Sequence, residues 1–135
     1  MKSVLDALRA LFWATGAALG AFYYQWGLIY ARWGQTNRAF IYMNRAARLN
    51  PNSANIFFHR GSLLMAVGSA ERAIEDFSHA IRLDPQHTEA YSRRGMMYTL
   101  IGKEEEAQED FKRAVMLGAD GADLQKQADE LNQGR

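Results

Sequence analysis

The sequence predicts an all-α fold: a helical-hairpin solenoid of three repeats, with an apolar helix at its N-terminal end and a capping helix at its C-terminal end. Three observations predict it. The chain aligns with itself twice at a shift of 34 residues. Its two prolines, Pro51 and Pro85, stand that same distance apart. Ala, Leu, Arg and Glu are abundant and helix breakers few, which favours helix throughout.

The repeat shows as columns. In its first half Tyr23, Phe57 and Tyr91 align, followed by Gly27, Gly61 and Gly95, then Tyr30, Leu64 and Tyr98, then Gly34, Gly68 and Gly102. The second half aligns Ala39, Ala73 and Ala107; Met43, Phe77 and Phe111; Ala46, Ala80 and Ala114; Leu49, Leu83 and Leu117. The aromatic, the first glycine and the next apolar residue are four and three apart, so they share one face of a first helix. That glycine leaves room for a close neighbour. The second glycine ends the helix, because it tolerates a left-handed backbone. On the second helix two small alanines flank a large residue that fills the gap, and proline stops the helix. The units run at about 20–53, 54–87 and 88–121, each a helix–turn–helix.

This pattern resembles the tetratricopeptide repeat family in its period and in its order of aromatic, Gly, aromatic, Ala, aromatic, Ala and Pro. The resemblance covers about three quarters of the chain. There are departures. The column three places after each leading aromatic, usually leucine in the family, holds Trp26, Arg60 and Arg94. The third unit ends in Gly118-Ala119 without proline, and the first has Met43 where an aromatic is usual.

At the C-terminal end, residues 122–135 form a capping helix. Leu124, Ala128 and Leu131 make one apolar stripe for the last repeat, and the rest is polar toward water. Asp120 is placed to cap the helix start, and Asp123 suits its dipole.

Residues 1–19 are an apolar to amphipathic helix, and no charge occurs from Ala10 to Ala31. Three readings stay open. A secretory signal has its core at Ala10–Leu19, but Arg32, Arg38, Arg45 and Arg48 downstream resist translocation. A membrane span has the length, and Gly16 and Gly20 form a G-x-x-x-G pair suited to helix packing. Its second half, however, competes with the first repeat for Tyr23–Tyr30, unless the span shifts to Val4–Tyr23. The third reading extends or caps the first repeat. Lys2, Asp6, Arg9, Trp13, Gly16 and Gly20 trace one stripe, while Leu5, Leu8, Phe12, Leu19 and Phe22 trace the other, broken only by Thr15. After Arg9 the outer face is not polar, so a membrane surface, another subunit or a second copy is expected to cover it.

The chain has no cysteine, which excludes a disulfide framework, a thiolate metal site and a cysteine nucleophile. It has no dinucleotide fingerprint, no phosphate loop and no H-E-x-x-H motif. His59, His79 and His87 share no helical face at ligand spacing. No enzyme, cofactor or metal is expected. The net charge of +1 hides an asymmetry: residues 1–70 carry seven basic residues and one acid, while residues 71–135 carry nine basic and fourteen acidic. The acidic half argues against nucleic acid.

The resemblance implies a concave groove lined by the first helix of each unit. The non-core side of those helices holds Tyr24, Gln25, Leu28 and Arg32; then Asn55, Phe58, His59, Ser62 and Met65; then Glu89, Ser92, Arg93 and Met96. An aromatic and aliphatic trough with few charges suits a protein or peptide partner. Some family members clamp a chaperone tail's carboxylate with Lys, Asn and Arg. Here the matching columns hold Tyr24, Leu28, His59, Glu89 and Arg93, of which only Arg93 fits. On the second helix of the first repeat, Arg38, Arg45 and Arg48 form an outward basic stripe that suits an anionic membrane surface.

The function expected is therefore a non-catalytic adaptor or assembly scaffold, cytoplasmic and associated with the cytoplasmic side of a membrane through its first helix. The alternative is a structural protein that self-assembles head to tail, basic end on acidic end. A regulatory subunit of an enzyme complex is a further, weaker class.

Overall fold

The computed structural model describes residues 2–134, which fold into seven helices with no strand among them. Met1 and Arg135, which the sequence assigns to the two end segments, lie outside the described residues, as does the side chain of Lys2. The helices are α1 (Lys2–Arg32), α2 (Thr36–Leu49), α3 (Ala54–Ala66), α4 (Ala70–Leu83), α5 (Thr88–Leu100), α6 (Glu104–Met116) and α7 (Gly121–Gln133). They pair as hairpins α1–α2, α3–α4 and α5–α6, which stack in chain order, with α7 against α5 and α6. This is an all-α solenoid of three hairpins.

Each hairpin closes for a local reason. Gly34, Gly68 and Gly102 have φ of 71°, 78° and 78°, a backbone that a Cβ would strain. The amides around Gly68 turn back onto the end of α3: Gly68 N–H donates to the Met65 carbonyl and Ser69 N–H to that of Leu64.

The earlier glycine of each unit serves packing instead. A Cβ at Gly61 would stand 2.9 Å from the Phe77 ring, and one at Gly95 would stand 2.7 Å from Phe111. Met43 fills the same space against Gly27 in the first hairpin, so the missing aromatic there leaves no void. Ala39, Ala46, Ala73, Ala80, Ala107 and Ala114 are all fully buried on the second helices. The core runs along the solenoid through Met43, Ile56, Phe57, Phe77, Met97 and Phe111.

The C-terminal helix caps the last hairpin. The Asp120 carboxylate accepts hydrogen bonds from the amides of Ala122 and Asp123. Leu124 and Ala128 are buried and Leu131 is half-buried, while the outer face is exposed.

The first helix carries the end segment into the first repeat. It has no break near residue 19. The end segment and the first helix of the first repeat are one helix of 31 residues. The solenoid meets it from Ala17 onward. Asn50 Nδ2 donates to the Ala17 carbonyl at 3.2 Å, and a Cβ at Gly20 would stand 2.7 Å from that nitrogen. Gly20, half of the G-x-x-x-G pair, is therefore used within the chain, whereas Gly16 faces open space. Residues 3–15 are exposed on every side. Thr15 satisfies its hydroxyl on the Phe12 carbonyl at 2.9 Å, so it does not interrupt the helix.

Candidate functional site

The first helices lie side by side and bring a chain of polar and aromatic groups together across all three repeats. The rings of Tyr24 on α1 and His59 on α3 lie 5.7 Å apart. Arg93 on α5 reaches back to α3, where its Nη1 donates to the Ser62 hydroxyl at 3.0 Å. That hydroxyl donates in turn to the Phe58 carbonyl, and the Arg93 guanidinium lies 5.0 Å from the Phe58 ring centre. The guanidinium is thus held by a hydroxyl and a ring, and among the described residues the ion pairs are made by other arginines.

Burial pushes the His59 imidazole below its ordinary range, and the Arg93 charge adds to that. Near neutral pH Arg93 therefore carries its charge beside an uncharged imidazole.

The remaining residues named for the groove divide by exposure. Gln25, Arg32, Asn55 and Glu89 are exposed, and Ser92 is half-buried. Leu28 packs against Ala39, Met43 and Leu63, and Met65 and Met96 pack against the central core, each keeping part of its surface free.

Phe58 is a correction: it is 3% exposed and belongs to the core. Its ring is 5.8 Å from Phe77 and 4.7 Å from His87, with Arg93 over it. Helical spacing places it on the groove side of α3, but His87, which caps the start of α5, and Arg93 on α5 close over it. Spacing within one helix does not reveal what the neighbouring unit covers.

The basic stripe is also less free than its spacing suggests. Arg38, Arg45 and Arg48 are exposed, yet Arg38 lies 5.7 Å from the Tyr30 ring centre and Arg45 lies 5.6 Å from that of Tyr23.

A second arrangement escaped sequence reasoning. Arg60 Nε and Nη2 donate to the two Asp76 carboxylate oxygens, both at 2.8 Å, and Arg94 binds Asp110 the same way at 2.7 Å. Each arginine also donates from Nη1 to the preceding unit, Arg60 to Asn44 Oδ1 and Arg94 to Ser78 Oγ. All four links span 16 residues. The signal was present, since the two arginines that depart from leucine each have an aspartate at that distance. In the first unit the same two columns hold Trp26 and Tyr42. Tyr42 stacks on Tyr30 at 5.2 Å, and Trp26 lies 6.0 Å from Tyr30. Ladder and aromatic cluster both tie first helices to second ones.

The tetratricopeptide repeat family model matches residues 21–53, 54–87 and 88–117. Among solved structures, the first TPR domain of Spaghetti (RPAP3) bound to the HSP90 peptide SRMEEVD superposes with a TM-score of 0.79 at 22% identity, over 87% of this chain and 94% of that one. The Arabidopsis OM64 TPR domain gives 0.79 at 20% identity, over 89% and 99%. The second TPR domain of human RPAP3, in complex with the HSP70 peptide SGPTIEEVD, gives 0.75 at 23% identity, over 89% and 98%. At these identities the likeness speaks to the fold. No curated protein matches the sequence.

Proposed function

The chain belongs to the tetratricopeptide repeat family, and from that premise we propose that it is a non-catalytic adaptor holding a protein segment on the face of α1, α3 and α5. The observation that carries this reading is Arg93. Its guanidinium is half-buried and fixed by Ser62 and Phe58, with no carboxylate within ion-pair distance among the described residues. A cation held ready in this way favours an acidic side chain or a chain-terminal carboxylate on the partner. Tyr24, Leu28, Met65 and Met96 supply apolar contact elsewhere along α1, α3 and α5.

The RPAP3 domains similar in fold bind peptides that end in EEVD. Here Tyr24, Leu28, His59 and Glu89 stand where the family's carboxylate clamp has Lys and Asn. The proposed occupant is therefore more apolar, with one acidic group rather than a charged tail. Head-to-tail stacking is the weaker reading, because it would have to dislodge α7 from the Leu124 and Ala128 contacts that seal the acidic end.

The test is capture of the native partner by the intact chain. Arg93→Glu should abolish it while circular dichroism stays unchanged. Lys112→Glu, on the exposed side of α6, should retain it. Retention by the first variant and loss by the second would move the binding face to the second helices. Phe58 is unsuitable as a probe, because truncating it opens the core.

A further inference from the structure

The part of α1 outside the solenoid has a surface that water does not suit. Residues 3–19 are exposed apart from Gly16, which is half-buried. Leu8, Leu11, Phe12 and Trp13 are each more than half exposed, with Phe12 at 77%. No charge interrupts the chain from Ala10 to Ala31. Past Arg9 the side opposite the leucines carries Ala10, Ala14, Ala17 and Ala21 rather than Lys, Arg or Glu. A helix that lies along a membrane surface needs a charged outer face. A helix without one on any side belongs inside an apolar medium.

The dimensions agree. At about 1.5 Å per residue, Val4–Phe22 is about 28 Å long, and a bilayer's hydrocarbon core is about 30 Å; its end from Ala17 on, where Asn50 also meets the helix, is the boundary with the solenoid. Asp6 and Arg9 fall in the outer third of that length, where charges cost least and a long arginine stem reaches back to the interface. At the other end Tyr23 and Trp26 provide the aromatic residues that favour a membrane boundary. Beyond them come Arg32, Arg38, Arg45 and Arg48, with no acid before Glu71. Such a bias holds the flanking side in the cytoplasm. A second copy is a poorer occupant, because Asn50 already fills the small-residue seam at Gly20.

We propose that Val4–Phe22 crosses a lipid bilayer and holds the repeat solenoid against its cytoplasmic face. The chain has no cysteine, so single cysteines report unambiguously. Ser3→Cys and Gln108→Cys both alter exposed residues. The full chain carrying either one is made in bacteria, and inverted inner-membrane vesicles are treated with a membrane-impermeant maleimide. The expected result is that Gln108→Cys labels at once, that Ser3→Cys labels only after detergent, and that both stay with the membrane through high salt and alkaline extraction. The proposal is overturned if both positions label without detergent and alkali releases the chain, which means it lies on the surface. Recovery in the soluble fraction as a larger particle, which means self-association, overturns it too. So does protection of Gln108→Cys, which means export.

Discussion

Arg94 grips Asp110 through two hydrogen bonds of 2.7 Å, and Arg60 repeats the grip on Asp76 one unit earlier. Hydrogen bonding to the carboxylate pushes the Arg94 guanidinium above its already high range. Burial pushes the Asp110 carboxyl up, against the pull of Arg94. The aspartate's desolvation thus offsets much of what the pair gains, as is usual for buried ion pairs. The third contact, from Nη1 to Ser78, makes the arginine a tie between consecutive hairpins.

The energetic sign therefore depends on whether one partner or both are removed. Arg94→Leu, which restores the family's usual residue, leaves Asp110 buried and unpaired and should cost about 3 kcal/mol. The double variant Arg94→Leu with Asp110→Leu should recover most of that loss. Urea denaturation of the parent, of Arg94→Leu, of Asp110→Leu and of the double variant checks it. A loss in the double variant equal to the sum of the single losses would mean that the pair is not coupled.

The close approach at Gly95 sets the second hairpin-scale prediction. Gly95→Ala drives a methyl group to 2.7 Å from the Phe111 ring, which is itself buried. The variant should lose about 1–3 kcal/mol, whereas Gly16→Ala, with nothing within 4 Å, should lose nothing measurable. Denaturation midpoints of both compare the two sites directly.

His59 gives a pH dependence with a fixed sign. Its folded-state pKa lies below the unfolded value because of burial and Arg93. The stability linked to the neutral ring is present above the unfolded pKa, about 6.5, and is lost as pH falls through the folded pKa. The His59 ring proton shifts, followed by NMR, should titrate below the ordinary histidine range. Arg93→Gln should move that midpoint upward. A midpoint unchanged by Arg93→Gln would remove the coupling between the two groups.

The projecting arm of α1 is expected to be dispensable for folding. A chain lacking residues 1–15 keeps the Asn50 contact to Ala17 and every buried residue of the three hairpins. It should dissolve without detergent and unfold at the same denaturant midpoint as the full chain. A clear fall in midpoint would mean that residues 1–15 pack on the body.

How much of this was legible in the chain differs by level. The period of 34 residues, the glycine and alanine columns and the two prolines determined by themselves the three hairpins, because each column answers a local need of backbone conformation or of residue size. The stripe of Leu124, Ala128 and Leu131 determined the cap for the same reason. Only the tertiary structure decided what depends on neighbouring units. Phe58 left the groove because His87 and Arg93, some thirty residues on, cover it. Arg60 and Arg94, departures within a single column, became ties because stacking brings Asn44 and Ser78 of the preceding units within hydrogen-bond reach. Gly20 changed from a helix-pairing residue to the seat of Asn50, and among the open readings of the end segment α1 runs on into the first repeat, because helical propensity persists wherever nothing in the chain stops it. Periodicity reports which side of a helix is apolar. What comes to lie against that side is settled by packing.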